Sequence, residues 1–174
     1  MNRNWILIAL ALVAVAVAGR LLPHAANITP LYAVALFACA TLPRRWALAV
    51  PMAAMVGSDL IIGMHGTVMF TWTGMLAFAA LGYGMRGRAS TGRILMSAVA
   101  GSVVFFVWTN LGVWMTSYMY PRTADGLVTC YVAALPFFRN SLLGTVAFAG
   151  AIFAAYEWLR LRQHTRSAAI VQAR

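Results

Sequence analysis

The chain has no lysine, only three acidic residues in 174, and thirteen basic residues that are all arginine. With 9% charged and 63% hydrophobic residues it cannot clothe a soluble domain, whose surface needs roughly 25–35% charged side chains of both signs. A mean hydropathy of +0.81 places it among membrane proteins before any motif is considered. The net charge of +10 would suggest nucleic acid if a solvated domain carried it. No polar stretch is long enough to form one, so nucleic acid is excluded as a partner. Cys39 and Cys130 stand far apart with no CxxC or metal spacing, which excludes a disulfide framework and a cysteine metal site. Paired carboxylates, HExxH, a nucleophile elbow, a P-loop and a dinucleotide fingerprint are all missing. The expectation is therefore a protein that is not an enzyme and needs no cofactor, and any ATP hydrolysis belongs to another polypeptide.

What the chain does have is hydrophobic runs. A helix crossing a bilayer needs about 20 apolar residues, and the pattern predicts an all-α integral membrane bundle of six spans near residues 5–22, 29–43, 46–64, 68–84, 94–118 and 135–159. The second span is the weakest: its apolar run ends at Pro43, although Thr29 offers a cap and Pro30 suits a first helical position. Residues 1–162 form one transmembrane domain, and residues 163–174 read as a frayed cytoplasmic tail. The first span also imitates a signal peptide, with Arg3, an apolar run and Ala16-Val17-Ala18. Its continuation through Leu21 and Leu22 favours a retained helix.

The arginines fix an orientation. Arg3, Arg44, Arg45, Arg86, Arg88, Arg93, Arg160, Arg162, Arg166 and Arg174 flank one side of the six spans, and only Arg20, Arg122 and Arg139 lie at the other. Arginine-rich loops stay cytoplasmic. Both termini are thus expected inside a bacterial inner membrane, in a multi-pass protein whose pocket opens to the periplasm. Arginines at the inner face also attract anionic membrane lipid.

Most of the polar residues gather at the outer end. Asp59 lies roughly 21 Å up its helix from Arg45, and Asn110 roughly 25 Å from Arg93, at 1.5 Å per residue. Arg139 and Asn140 open the last span at the same depth. An ionisable group there is costly unless paired or hydrated, and marks a functional site. Asp59 with Arg139 is the expected pair, either as a helix staple or as part of a ligand-binding cavity. Phe106, Asn110, Trp114, Ser117 and Tyr118 share one face of the fifth span. Trp72 either walls the same cavity or anchors the interface, and Trp114 and Tyr118 could equally form an aromatic belt. His24, Asn27 and His65 sit on outer loops, and the loop from Met119 to Ala134 is long enough to be a lid. Glu157 should pair with Arg160 at the surface. Small residues four apart, at Ala14 and Ala18, at Ala49, Ala53 and Gly57, at Ser97 and Gly101, and at Ala147, Ala151 and Ala155, suit close helix packing or a docking face for a membrane partner.

The motifs Arg20-x-x-Pro23-His24-x-x-Asn27-x-Thr29-Pro30, Pro51 to Ser58-Asp59-Leu60, Thr109-Asn110-x-Gly112-Val113-Trp114 and Ala134-x-Pro136-Phe137-Phe138-x-Asn140-x-Leu142-Leu143-Gly144 span residues 20 to 144. Together they resemble an uncharacterised bacterial membrane family similar to the substrate-specificity subunits of energy-coupling factor vitamin transporters, nearest to the solitary cobalamin type. The resemblance implies a small-molecule substrate, ligand contact for His24, Asp59 and Arg139, and an energising transmembrane subunit with separate ATPases as a partner. A cysteine that ligates cobalt in some such proteins would fall where this chain has Trp72, so cobalt ligation would pass to His24 or His65.

The expected function is binding and uptake of a small vitamin-like solute, with cobalamin or a related corrinoid as the substrate implied by resemblance. His24, Asn27, Asp59, His65, Trp72, Asn110, Trp114, Tyr118, Arg139 and Asn140 are the candidate binding residues. The alternatives are a structural or accessory subunit of a membrane complex, and a membrane enzyme acting on lipid or tetrapyrrole through His24 or His65. The orientation is checked by reporter fusions to the C-terminus. A cytoplasmic signal is expected, and a periplasmic one would reverse the bundle.

Overall fold

The computed structural model describes residues 3–23 and 25–172, and among these the protein is wholly α-helical. The helices are α1 (Arg3–Leu21), α2 (Leu31–Thr41), α3 (Arg44–Ala47), α4 (Ala49–Ile62), α5 (Val68–Gly84), α6 (Thr91–Thr116) and α7 (Ala124–Gln172). The single turn α3 and the helix α4 together make the third of six helical segments. By length and composition Arg44–Ile62, Thr91–Thr116 and Ala124–Arg162 can each cross a membrane, and Trp5–Leu21, Leu31–Thr41 and Val68–Gly84 are shorter apolar helices. The chain is a multi-pass helical membrane protein.

The segment that looked weakest in sequence is the hub. α2 has 11 residues, about 16 Å of helix, and is too short to cross a bilayer of about 30 Å. It is apolar all round, so no face of it needs water. Leu31 and every residue from Ala33 to Ala40 are buried. α1, α4, α5, α6 and α7 surround it, with α1 against α4, α4 against α5, α5 against α6 and α6 against α7. Outward faces of these helices carry Leu76, Val103, Val107 and Leu143, suited to lipid.

A helix ending inside a bundle must satisfy its terminal carbonyls without water. Arg86 Nη2 donates to the Leu42 carbonyl at 2.7 Å and closes the far end of α2. Pro51 lacks the N–H that would bind the Ala47 carbonyl, so the helix breaks at Leu48 into α3 and α4. The freed carbonyl accepts from Cys39 Sγ at 3.2 Å. Cys39 and Cys130 are both buried free thiols. α2 meets α5 closely at Gly82, where an added Cβ would stand 2.7 Å from both the Leu36 carbonyl oxygen and Cys39 Cβ.

Two expectations need correction. The stretch from Ala124 to Ala134 is helix, continuous with the last span, because Pro136 interrupts only one hydrogen bond and α7 runs on through it. The outer connection is thus short. Trp114 Nε1 donates to the Pro121 carbonyl at 3.0 Å and the Arg122 guanidinium lies 5.6 Å from the Trp114 ring centre, which pins this connection to the end of α6 instead of leaving a lid. Residues 163–172, expected to fray, continue α7.

Of the small-residue rows, Ser97 and Gly101 are buried, while Ala14, Ala18, Ala49, Ala53, Ala147, Ala151 and Ala155 face outward. Glu157 and Arg160 form the expected ion pair at 3.5 Å. The close contact at Gly82 gives a direct check. Gly82→Val should lower stability by about 3 kcal/mol, since its side chain meets backbone that cannot move aside. Gly57→Ala, with nothing within 4 Å of the new Cβ, should stay within about 0.5 kcal/mol of the parent in thermal unfolding in detergent.

Candidate functional site

Asp59 lies one turn from the end of α4, with only 1% of its side chain exposed. Its partner is Arg20 in the last turn of α1, with Nη2 to Oδ1 at 2.6 Å. Trp72 Nε1, from α5, donates to the other oxygen at 2.7 Å. Arg20 Nη1 also donates to Ser58 Oγ at 2.6 Å and the Met55 carbonyl at 3.2 Å. Ser58 passes its own proton to the Ala54 carbonyl at 2.6 Å. One carboxylate thus ties three helices together, with both its oxygens engaged.

The expected Asp59–Arg139 pair does not form. Arg139 is exposed on α7, and Asp59 is enclosed by α1 and α5. Counting residues gave the right depth, but α4 packs between α1 and α5 and does not present Asp59 to α7. Arg20 had the same depth in sequence, since α1 and α4 run in the same direction from the arginine-rich end. It was passed over as a flanking charge.

Beside this pair is a cavity of about 330 Å³. It lies between α2, α6 and α7, and Arg20 belongs to both the cavity wall and the ion pair. Two aromatic groups form its sides. Tyr32 stacks on Phe78 at 5.0 Å and meets Phe105 at 4.6 Å, while Phe106 meets Phe138 at 4.7 Å. Asn110 lines it too, with its amide held by the Phe106 carbonyl at 2.8 Å, and Asn27 reaches it from a left-handed turn at φ 65°. Thr71, Thr109 and Ser141 add hydroxyls. Ser102 also lines the wall, and its Oγ is buried with no hydrogen-bond partner among the described residues.

The remaining candidates lie elsewhere. His65 is exposed and its Nδ1 is 2.9 Å from Thr67 Oγ1. Trp114 holds the outer connection. Tyr118 is fully exposed, because α6 ends at Thr116 and the shared face predicted for Tyr118 ends with it. Asn140 turns away from the cavity to the Ala26 carbonyl at 3.1 Å. His24 lies outside the described residues. Tyr32, Ser102, Phe105, Phe138 and Ser141 were missed, since aromatic and hydroxyl residues in apolar helices look like ordinary packing. A faint signal existed at Tyr32, which with Thr41 is the only hydroxyl-bearing residue of the apolar run Leu31–Thr41.

A buried ion pair beside an aromatic, hydroxyl-lined cavity defines the class: a multi-pass helical membrane protein with an intramembrane polar cavity. The chain belongs to the family of unknown function DUF6580, which matches residues 1–169. No curated protein and no solved structure matches it.

The pair is testable apart from any ligand. Asp59→Ala should cost about 3–5 kcal/mol, because it leaves Arg20 buried beside no counter-charge. Trp72→Phe, which removes one hydrogen bond to a charged group, should cost about 1.5–3 kcal/mol. Arg139→Gln should stay within about 0.5 kcal/mol. Equal losses for Asp59 and Arg139 variants in thermal unfolding would contradict the assigned pairing.

Proposed function

We propose that the protein binds a small, vitamin-like solute in the cavity beside Arg20 and carries it across the membrane. The carrying observation is Ser102, a residue of the aromatic-walled cavity whose buried hydroxyl has no partner among the described residues, so that a turn of its side chain toward the cavity would bring it to a solute. An unmade hydrogen bond costs about 1–3 kcal/mol, and a solute that accepts or donates there recovers it. Small-molecule sites combine an apolar, aromatic wall with a few polar groups in this way.

The chemistry favours a neutral or zwitterionic ring compound. Arg20 contributes hydrogen-bond donors, but its charge is already balanced by Asp59. An aromatic lining suits a planar ring. At about 330 Å³ the cavity is at the small end of the roughly 300–1,000 Å³ typical of ligand sites. A corrinoid, with its macrocycle and appended nucleotide, is far too large for it, so the cobalamin expectation is replaced by a single-ring or fused-ring solute. His65, hydrogen-bonded to Thr67, is not needed as a cobalt ligand.

The resemblance to vitamin-transporter specificity subunits supports uptake as the direction. The positive-inside rule sets the arginine-rich end in the cytoplasm and the cavity toward the periplasm of a bacterial inner membrane. An energising membrane subunit with separate ATPases would supply the work. The outward-facing rows at Ala14 and Ala18, at Ala49 and Ala53, and at Ala147, Ala151 and Ala155 suit such a subunit. Those rows equally favour a second reading, an accessory subunit of a membrane complex in which the ion pair only staples helices.

The two readings separate in a binding experiment. Water-soluble ring vitamins and related heterocycles are screened for a rise in melting temperature of the purified protein, alongside mass spectrometry of anything that co-purifies. A true ligand at a hundredfold excess over its Kd should stabilise the protein by about 2.7 kcal/mol. Ser102→Ala should weaken it about tenfold while leaving the unliganded melting temperature at or above that of the parent, since a buried unpaired hydroxyl is removed. A folded protein that no compound stabilises, and that co-purifies with none, would leave the accessory reading standing.

A further inference from the structure

A second cavity of about 640 Å³ lies at the arginine-rich end of the bundle. Its wall is drawn from α2 (Ala40, Thr41), the start of α6 (Ile94, Leu95) and the later part of α7 (Gly150, Phe153). These are the helices that line the Arg20 cavity, now at their opposite ends. We infer that the two cavities are the entry and exit halves of one passage between α2, α6 and α7, and that the larger one is the release site for the same neutral or zwitterionic solute. This rests on the proposed binding role of the Arg20 cavity.

The barrier between them is thin. On α7 the outer wall ends at Ser141 and the inner wall begins at Gly150, on α6 they are bounded by Ser102 and Leu95, and on α2 by Tyr32 and Ala40. At 1.5 Å per residue each gap is roughly 10–14 Å. Ala98 and Gly101 on α6 and Thr145 and Ala149 on α7 give it small, buried walls, and the buried Phe78 ring, seated against Gly101, fills it.

Two hydroxyls mark the route. Several other hydroxyls in these helices give their proton to a carbonyl one turn back, as Thr41 does to Phe37, Thr109 to Phe105 and Thr116 to Gly112. Ser102 and Thr145 are 2% and 0% exposed, and neither hydroxyl has a partner among the described residues. Ser102 stands at the floor of the outer cavity, and Thr145 one turn beyond Ser141 toward the inner one. Buried polar groups in native proteins are nearly always paired. Two unpaired hydroxyls in the narrow gap between two cavities are stepping points for a hydrogen-bonding solute, while pure packing would place alanine there at no cost. No carboxylate or arginine lies within the gap on these helices, so the passage suits an uncharged or internally neutralised solute and not a free ion.

The test uses full-length protein in membrane vesicles of either orientation, with Cys39→Ser and Cys130→Ser as background and a membrane-impermeant zwitterionic methanethiosulfonate as probe. Thr109→Cys should react from the outer side and Ala154→Cys from the inner side. Thr145→Cys and Ala149→Cys should react from both sides, roughly 10- to 1,000-fold more slowly than the cavity positions, as a minor open state populated at about 0.1–10% requires. Val103→Cys and Ala147→Cys, on outward faces, give the unreactive baseline. If Thr145→Cys and Ala149→Cys both stay at that baseline in protein that melts like its parent, the passage is disproved while a reactive Thr109→Cys leaves the binding cavity intact. If Thr109→Cys is itself unreactive, the cavity reading fails and the passage with it. Should Thr145→Cys not fold, Ala149→Cys decides alone.

Discussion

A carboxylate inside a membrane bundle must have a cation and donors beside it, and the position of Asp59 organises much of this protein. Bringing one charge out of water costs several kcal/mol, repaid only by close geometry and full hydrogen bonding. Asp59 has the Arg20 ion pair from α1 on one oxygen and the Trp72 hydrogen bond from α5 on the other, so three helices are fixed to one point at the end away from the arginine-rich loops. The other half of the bundle, α6 and α7, is joined to this staple by no ion pair among the described residues; its contacts are aromatic, small or hydroxylic. The Arg20 cavity therefore borders the stapled helices, through Arg20 and Thr71, on one side and α6 and α7 on the other.

The second constraint is the burial of α2. A short helix of alanine, leucine, valine and phenylalanine gains most by having no exposed face. Burying it inside the bundle leaves backbone groups stranded at depths where water is scarce, and the sequence answers with specific donors. Arg86 reaches the Leu42 carbonyl, and Cys39 takes the carbonyl that Pro51 releases. These contacts bind α2 to α5 and to α3, so the core helix is anchored at its inner end. Its outer end, at Tyr32, opens instead onto the cavity.

Much of this was legible in the residues. Hydrophobic length set the six segments, and the fourth matched its observed limits, since Thr67 and Gly84 bracket an unbroken apolar run. Counting from the arginines gave the depth of Asp59 and Asn110, because rise per residue is constant. Neighbourhood was not legible. Depth alone cannot say whether Asp59 meets Arg20 or Arg139, which depends on the order of helices around α2, and a single apolar sequence carries no register for that. Helical continuity through Pro136 was likewise hidden, since proline reads as a boundary when its bundle neighbours are unknown. The cavity walls escaped for a chemical reason: Phe105, Phe138 and Ser102 acquire meaning only from what faces them.

The ion pair also bears on selectivity. An unpaired arginine in a membrane cavity would seize any anion of suitable size. Arg20 is already committed to Asp59, and an anionic solute drawing it away would leave Asp59 with the Trp72 hydrogen bond alone. Breaking a buried pair costs about 3–5 kcal/mol, which corresponds to a loss of two to three orders of magnitude in affinity. A neutral acceptor can instead share the guanidinium's remaining donors without disturbing the pair. In the proposed binding role the arrangement would reject anions while keeping an arginine's hydrogen bonds available. The staple that holds α1, α4 and α5 together and the proposed filter in the cavity wall would then be one and the same contact, and neither role could change without the other.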